Sequence, residues 1–129
     1  MSETRVLSEI EAACAHHKIC VLPRNPSSMT CSVWDLADLT YHVGIIWRCN
    51  TGALKAGRRF IRFGLPGIPD FEGWRFKDGR RLTIEAKSAK GSLTPDQRAY
   101  AYLAERSNIL AGVVRSYDEC ATLLKTWGF

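Results

Sequence analysis

The chain has 129 residues, 46% hydrophobic and 24% charged, the size and balance of one globular domain with one core. That excludes a disordered chain, a collagen-like repeat and a coiled coil, and no apolar run approaches the ~18 residues of a membrane-spanning helix. The start, Met1-Ser2-Glu3-Thr4-Arg5, lacks the layout of a secretory signal, so a soluble cytoplasmic domain is expected. Five cysteines, an odd count without a Cys-x-x-Cys pair, fit a reducing compartment. Net charge is +5, which points to an anionic partner. The excess is local. Arg48, Lys55, Arg58, Arg59 and Arg62 fall in residues 39–69 without one acid between them. Five such cations suit a nucleic-acid backbone; a solvated surface is the alternative.

In chain order, residues 3–18 read as a helix, with Val6, Ile10, Ala13, Cys14 and His17 on one face. Pro23 and Pro26 end that segment. Residues 31–43 read as a second helix stopped at Gly44. Ile45-Ile46-Trp47 begins a strand that breaks at Asn50-Thr51-Gly52, and residues 58–63 read as another. Leu65-Pro66-Gly67-Ile68-Pro69 is a rigid loop. Residues 70–76 and 81–87 read as a hairpin around Asp78-Gly79. Thr94-Pro95-Asp96-Gln97 announces a helix over 95–106, Ile109 to Val114 is an apolar strand, and 117–126 is a last helix. The strand after the helix crossover is expected to run parallel to a neighbour. The order describes an α/β or α+β layered domain.

The hairpin carries a geometric argument. A two-residue turn at Asp78-Gly79 pairs Asp70 with Lys87 and Glu72 with Glu85. Side chains alternate along a strand, so Asp70, Glu85 and Lys87 share one face, while Leu82, Ile84 and Ala86 take the other and suit a core. Two close carboxylates repel unless a cation joins them, and a hard divalent ion takes oxygen ligands. A neighbouring lysine can polarise water and offset developing charge. Beside a basic stripe, the trio fits metal-assisted phosphodiester hydrolysis; a surface salt bridge is the competing reading.

Pro69-Asp70 followed by Glu85-Ala86-Lys87 resembles the signature of the PD-(D/E)XK nuclease superfamily. The segments Trp47 to Ala53, Arg62 to Asp70, Ile84 to Lys87, Gly91 to Gln97 and Val114 to Ser116 resemble the virus-type replication-repair nucleases, VRR-NUC. The likeness spans residues 44–127, with residues 1–43 as an N-terminal helical region of the same single domain. It implies a mixed central sheet flanked by helices. It also implies Mg²⁺ or Mn²⁺ held by Asp70, Glu85 and the backbone carbonyl of Ala86, with Lys87 orienting the attacking water. Gln97 then has two readings, a helix cap or an active-site residue. For the family's first-helix glutamate the candidates are Glu9 and Glu11, with Glu9 favoured, or Asp35 and Asp38 if that helix is residues 31–43. Glu72 is either a third carboxylate or solvent-facing. By the same resemblance the chain is a phage or bacterial homodimer acting in DNA repair on branched DNA such as a Holliday junction. Candidate DNA contacts are Arg48, Asn50, Lys55, Arg58, Arg59 and Arg62. A non-catalytic nucleic-acid-binding module is the alternative. Cys14, His16, His17 and Cys20 match no common zinc spacing. Trp34, Trp47, Trp74 and Trp127 are scattered and read as core.

Overall fold

The computed structural model describes residues 2–22, 40–49, 53–56, 59–62 and 66–129, with backbone alone for 53–56 and 59–62. Helix α1 spans Glu3–His16 and is followed by strand β1, Ile19–Val21. Strands β2, Gly44–Arg48, β3, Ala53–Ala56, and β4, Arg59–Arg62, come next. Then follow β5, Phe71–Arg75, β6, Arg81–Ala86, helix α2, Pro95–Arg106, β7, Leu110–Val114, and helix α3, Tyr117–Thr126.

Five strands form one mixed sheet in the order β1-β2-β5-β6-β7, and β3 pairs with β4 in a separate antiparallel hairpin. β1 runs parallel to β2 and β7 parallel to β6, while β5 runs antiparallel to both its neighbours. The parallel β6–β7 pair is the one expected from the intervening helix.

Apolar periodicity explains the layers. Val6, Ile10, Ala13 and Cys14 of α1 are buried against Ile46, Phe71, Leu82, Ile84 and Ala86, with Cys120 and Leu124 of α3 closing the core. The opposite face of β6 and β7, through Thr83, Glu85, Ala111 and Val113, lies under Gln97, Tyr100 and Ala101 of α2. Both faces of β6 are therefore covered, which is why five of its six residues are buried. Gly73 is required at the β2–β5 seam, since a Cβ there would lie 1.8 Å from the carbonyl oxygen of Ile45. Ser2, Thr94 and Ser116 cap α1, α2 and α3 with their hydroxyls.

Several expectations are corrected. The first helix ends at His16 rather than at residue 18, and Lys18, with φ of 62°, turns the chain straight into β1, a strand the sequence reading assigned to no element. Thr40 and Tyr41 are helical, as expected of the second helix, and Gly44 itself opens strand β2. β3 was read as part of no element. Residues 31–39 of the expected second helix, and with them Trp34, lie outside the described residues. The hairpin turn is longer than expected: Arg75 N–H donates to Arg80 O at 3.0 Å and Gly79 N–H to Arg75 O at 2.8 Å, leaving Phe76 to Gly79 as a four-residue loop. The Arg75 guanidinium holds Asp78 within it at 3.0 Å. The register accordingly slips by two, pairing Phe71 with Ile84 and Glu72 with Thr83.

Candidate active site

A two-residue slip preserves the alternation of faces. One step beyond Phe71 and Ile84, the ladder carries Asp70 opposite Glu85 rather than Lys87. The intended trio therefore stays on one side of the sheet, in a different pairing. Glu85 is 6% exposed and Lys87 8%, and Lys87 Nζ stands 4.0 Å from Glu85 Oε1. Asp70 Oδ2 accepts the backbone N–H of Ala86 at 2.8 Å, which fixes that carboxylate against the end of β6.

Gln97 makes both contacts that the sequence allowed. Its Oε1 accepts the Thr94 N–H at 2.9 Å while its own N–H donates to Thr94 Oγ1, completing a capping box. With its oxygen committed there, its Nε2 points the other way and donates to Glu85 Oε1 at 3.1 Å. The cap thus orients the amide toward the carboxylate.

Glu9 is placed elsewhere. Its Oε2 accepts the Tyr117 N–H at 2.8 Å at the start of α3, and Arg5 lies 3.9 Å from its other oxygen. The first-helix carboxylate near the sheet pair is Glu3: one oxygen each from Glu3, Asp70 and Glu85 lie within 4.8 Å of one another. Sequence reasoning missed Glu3, although a signal was present, because Glu3 continues the buried α1 stripe one turn before Val6. Glu72 sits opposite Thr83, paired with Arg81 and accepting a 3.2 Å hydrogen bond from Cys49 Sγ, so it is no third member of the cluster. Cys49, half-buried beside that carboxylate, has its thiol pushed up to about 12.

The electrostatics are unfavourable without a counter-charge. Burial, then the charge and hydrogen bond of Asp70, push the Glu85 carboxyl up to about 8; Lys87 pulls it down and Glu3 adds to the rise. Three carboxylates of hard oxygen donors, one of them desolvated, fit a divalent cation such as Mg²⁺ or Mn²⁺. Thr83 Oγ1, buried without a hydrogen-bond partner, lines a cavity of about 120 Å³ with Glu85, Gln97 and Tyr100, room for several waters beside the cluster.

Of the expected DNA contacts, Arg48 lies over the Phe71 ring, its Cζ 5.8 Å from the centroid. Lys55, Arg59 and Arg62 fall on the β3–β4 hairpin, and Asn50 and Arg58 lie outside the described residues. His16 bonds the Tyr117 hydroxyl, His17 the Ala13 carbonyl, and the Cys14 thiol is pushed up by its contact with Cys120, which leaves no zinc cluster among these side chains. Trp127 is buried as expected, but Trp74 is 41% exposed and packs edge to face on Trp47.

A family model, the VRR-NUC domain, matches residues 15–118, well over half of the chain. The chain belongs to the VRR-NUC nuclease family. The match contains Asp70, Glu85, Lys87 and Gln97 and begins well before residue 44, so it takes in the segment after α1 that the sequence reading set outside the core; Glu3 precedes it. No curated protein and no solved structure matches the chain.

Proposed function

We propose that this VRR-NUC protein hydrolyses DNA phosphodiester bonds with Mg²⁺ or Mn²⁺, using Asp70, Glu85 and Lys87. The observation that carries the reading is the convergence of Asp70, Glu85, Lys87 and Gln97 at one point in a chain of this nuclease family. Asp70 and Glu85, with Glu3 and the Ala86 carbonyl, would hold the cation. When bound, the cation supplies Lewis-acid polarisation of the phosphoryl group and a counter-charge for the carboxylates.

The chain's own residues do the rest. Ala86 N–H occupies Asp70 Oδ2 and holds that carboxylate in place. Gln97 donates to Glu85 Oε1 and Lys87 Nζ stands 4.0 Å from the same oxygen, so both restrain that carboxylate. Lys87, buried and cationic, orients the attacking water and offsets the charge that builds on the phosphoryl oxygens. The run of cations from Arg48 to Arg62 would hold the DNA backbone. Branched or junction DNA as preferred substrate, a homodimeric enzyme and a cytoplasmic bacterial or phage setting complete the reading. No described helix is long and apolar enough to cross a membrane.

The test is cleavage of matched linear, flapped and four-way-junction DNA with Mg²⁺, with Mn²⁺ and with EDTA. Metal-dependent cutting that is fastest on branched DNA is expected. Binding of all three without cutting under either metal would replace the reading with a non-catalytic binding module.

A further inference from the structure

Asp70, Glu72 and Trp74 are two residues apart along one chain segment, so their side chains leave the sheet on the same side. The register sets Trp47 opposite Glu72 on one flank and Arg81 opposite Trp74 on the other. The face that carries the carboxylate cluster thus continues away from it into two tryptophans and an arginine. Helix α2 covers this face over β7, whereas Trp74 stays 41% exposed and Trp47 half-buried. The indoles are fixed against each other, 5.7 Å between centroids at 73°. One exposed tryptophan is unremarkable in a protein surface; a locked pair bordering a groove marks a binding surface.

The groove is about 400 Å³ and is lined by Trp47, Glu72, Gly73, Trp74, Gly79 and Arg81. Its charged floor selects the occupant. Glu72 and Arg81 form an ion pair there, so the floor has no net charge. A phosphate would meet the Glu72 carboxylate. A second protein's apolar side chains would bury the ion pair, and interface cores are depleted in charge. A nucleobase satisfies both elements: its flat face stacks on indole, and its edge offers donors and acceptors to Arg81 and Glu72. In a closed duplex that face is already stacked, so the base must be unpaired.

Spacing ties the groove to the cluster. Trp74 lies four positions beyond Asp70, ~13 Å of extended chain, or about four nucleotides at a stacked rise of ~3.4 Å. We propose that Trp47 and Trp74 form a stacking subsite for an unpaired base of the substrate strand, a few nucleotides from the bond that is cut. The substrates favoured are then those with a single-stranded or splayed segment beside the cleavage point. This deepens the nuclease reading and rests on it for the cutting step alone.

The experiment is fluorescence anisotropy in EDTA, where nothing is cut, with a labelled oligothymidylate and a matched duplex. Wild type, Trp47→Ala, Trp74→Ala and Trp74→Phe are compared, each checked by thermal melting and sedimentation. Trp74→Ala is expected to weaken single-strand binding about tenfold, the scale of one stacked base, with Trp74→Phe restoring most of it and duplex binding changing far less. Folded Ala variants that bind the single strand as wild type does would overturn the subsite. So would conversion of a dimer to a monomer by Trp74→Ala, which assigns the face to a second copy of the chain. Single-strand binding lost in the Ala variants of a protein that cuts no DNA with Mg²⁺ or Mn²⁺ would keep the subsite and remove the nuclease reading.

Discussion

Replacing Glu85 with Gln tests the strained charge at the centre of the site. Burial and Asp70 raise the Glu85 carboxyl from its ordinary 4.5 to about 8. For an acid with a raised folded-state value, the neutral form is the one the fold favours. Its stabilising contribution is therefore complete below the unfolded value near 4.5 and is lost as pH rises toward 8. Mid-window the slope approaches that of one proton, ~1.4 kcal/mol per pH unit. Lys87, 4.0 Å away, and the solvent that reaches half-buried Asp70 soften it. A net loss of about 2 kcal/mol between pH 5 and pH 8 is the expected scale, a sizeable share of a domain's 5–15 kcal/mol. Glu85→Gln keeps an acceptor for Gln97 Nε2 and cannot ionise. In EDTA its melting temperature should match wild type at pH 5 and exceed it by roughly 6–8 °C at pH 8. A difference that stays flat across this range would refute the assignment of a buried, charge-repelled carboxyl.

Glu3 and Glu9 separate by readout: Glu3→Ala should slow cleavage with little change in melting, whereas Glu9→Ala, which strips the Tyr117 N–H of its acceptor, should cost about 1 kcal/mol by urea titration and keep cleavage. Thr94→Ala removes the cap that orients Gln97, and should cost about 1 kcal/mol together with a fall in kcat that exceeds any change in KM. Gly73→Ala forces a Cβ against the Ile45 carbonyl, and should lower stability by about 3 kcal/mol or abolish soluble expression. Phe71→Ala, a truncation of the largest fully buried side chain among the described residues, should cost about 3–5 kcal/mol in the same titration.

Much of this fold was legible because local chemistry and tertiary structure agree. The stripe of Val6, Ile10, Ala13 and Cys14 is the buried face of α1, and Thr94-Pro95 starts α2 where a capping box should. Leu82, Ile84 and Ala86 face the core because a period of two survives a slip of two. What escaped depends on contacts that no local window contains. β1 is three residues long and gains its partner from β2, across the segment that follows it. The turn length was set by Arg75 closing on Asp78, not by Asp78-Gly79 alone. Glu3 was legible in principle: at ~100° per residue it lies within about 35° of the centre of the α1 stripe, against about 85° for Glu9. Glu3 was not weighed because nothing local shows that the N-terminal end of α1 is the one beside Asp70 and Glu85. The exposure of Trp47 and Trp74 was hidden too, since a tryptophan on a half-covered sheet has the same spacing as one in a core.

The central claim is that Asp70 and Lys87 act together on a phosphodiester. The direct measurement is single-turnover cleavage of branched DNA with Mg²⁺ by wild type, Asp70→Asn and Lys87→Ala, each shown to bind that DNA in EDTA. Wild type should cut, and each variant should bind normally while cutting slower by roughly a hundredfold or more. Cutting by both variants at the wild-type rate would place the active site elsewhere on the chain and contradict the account.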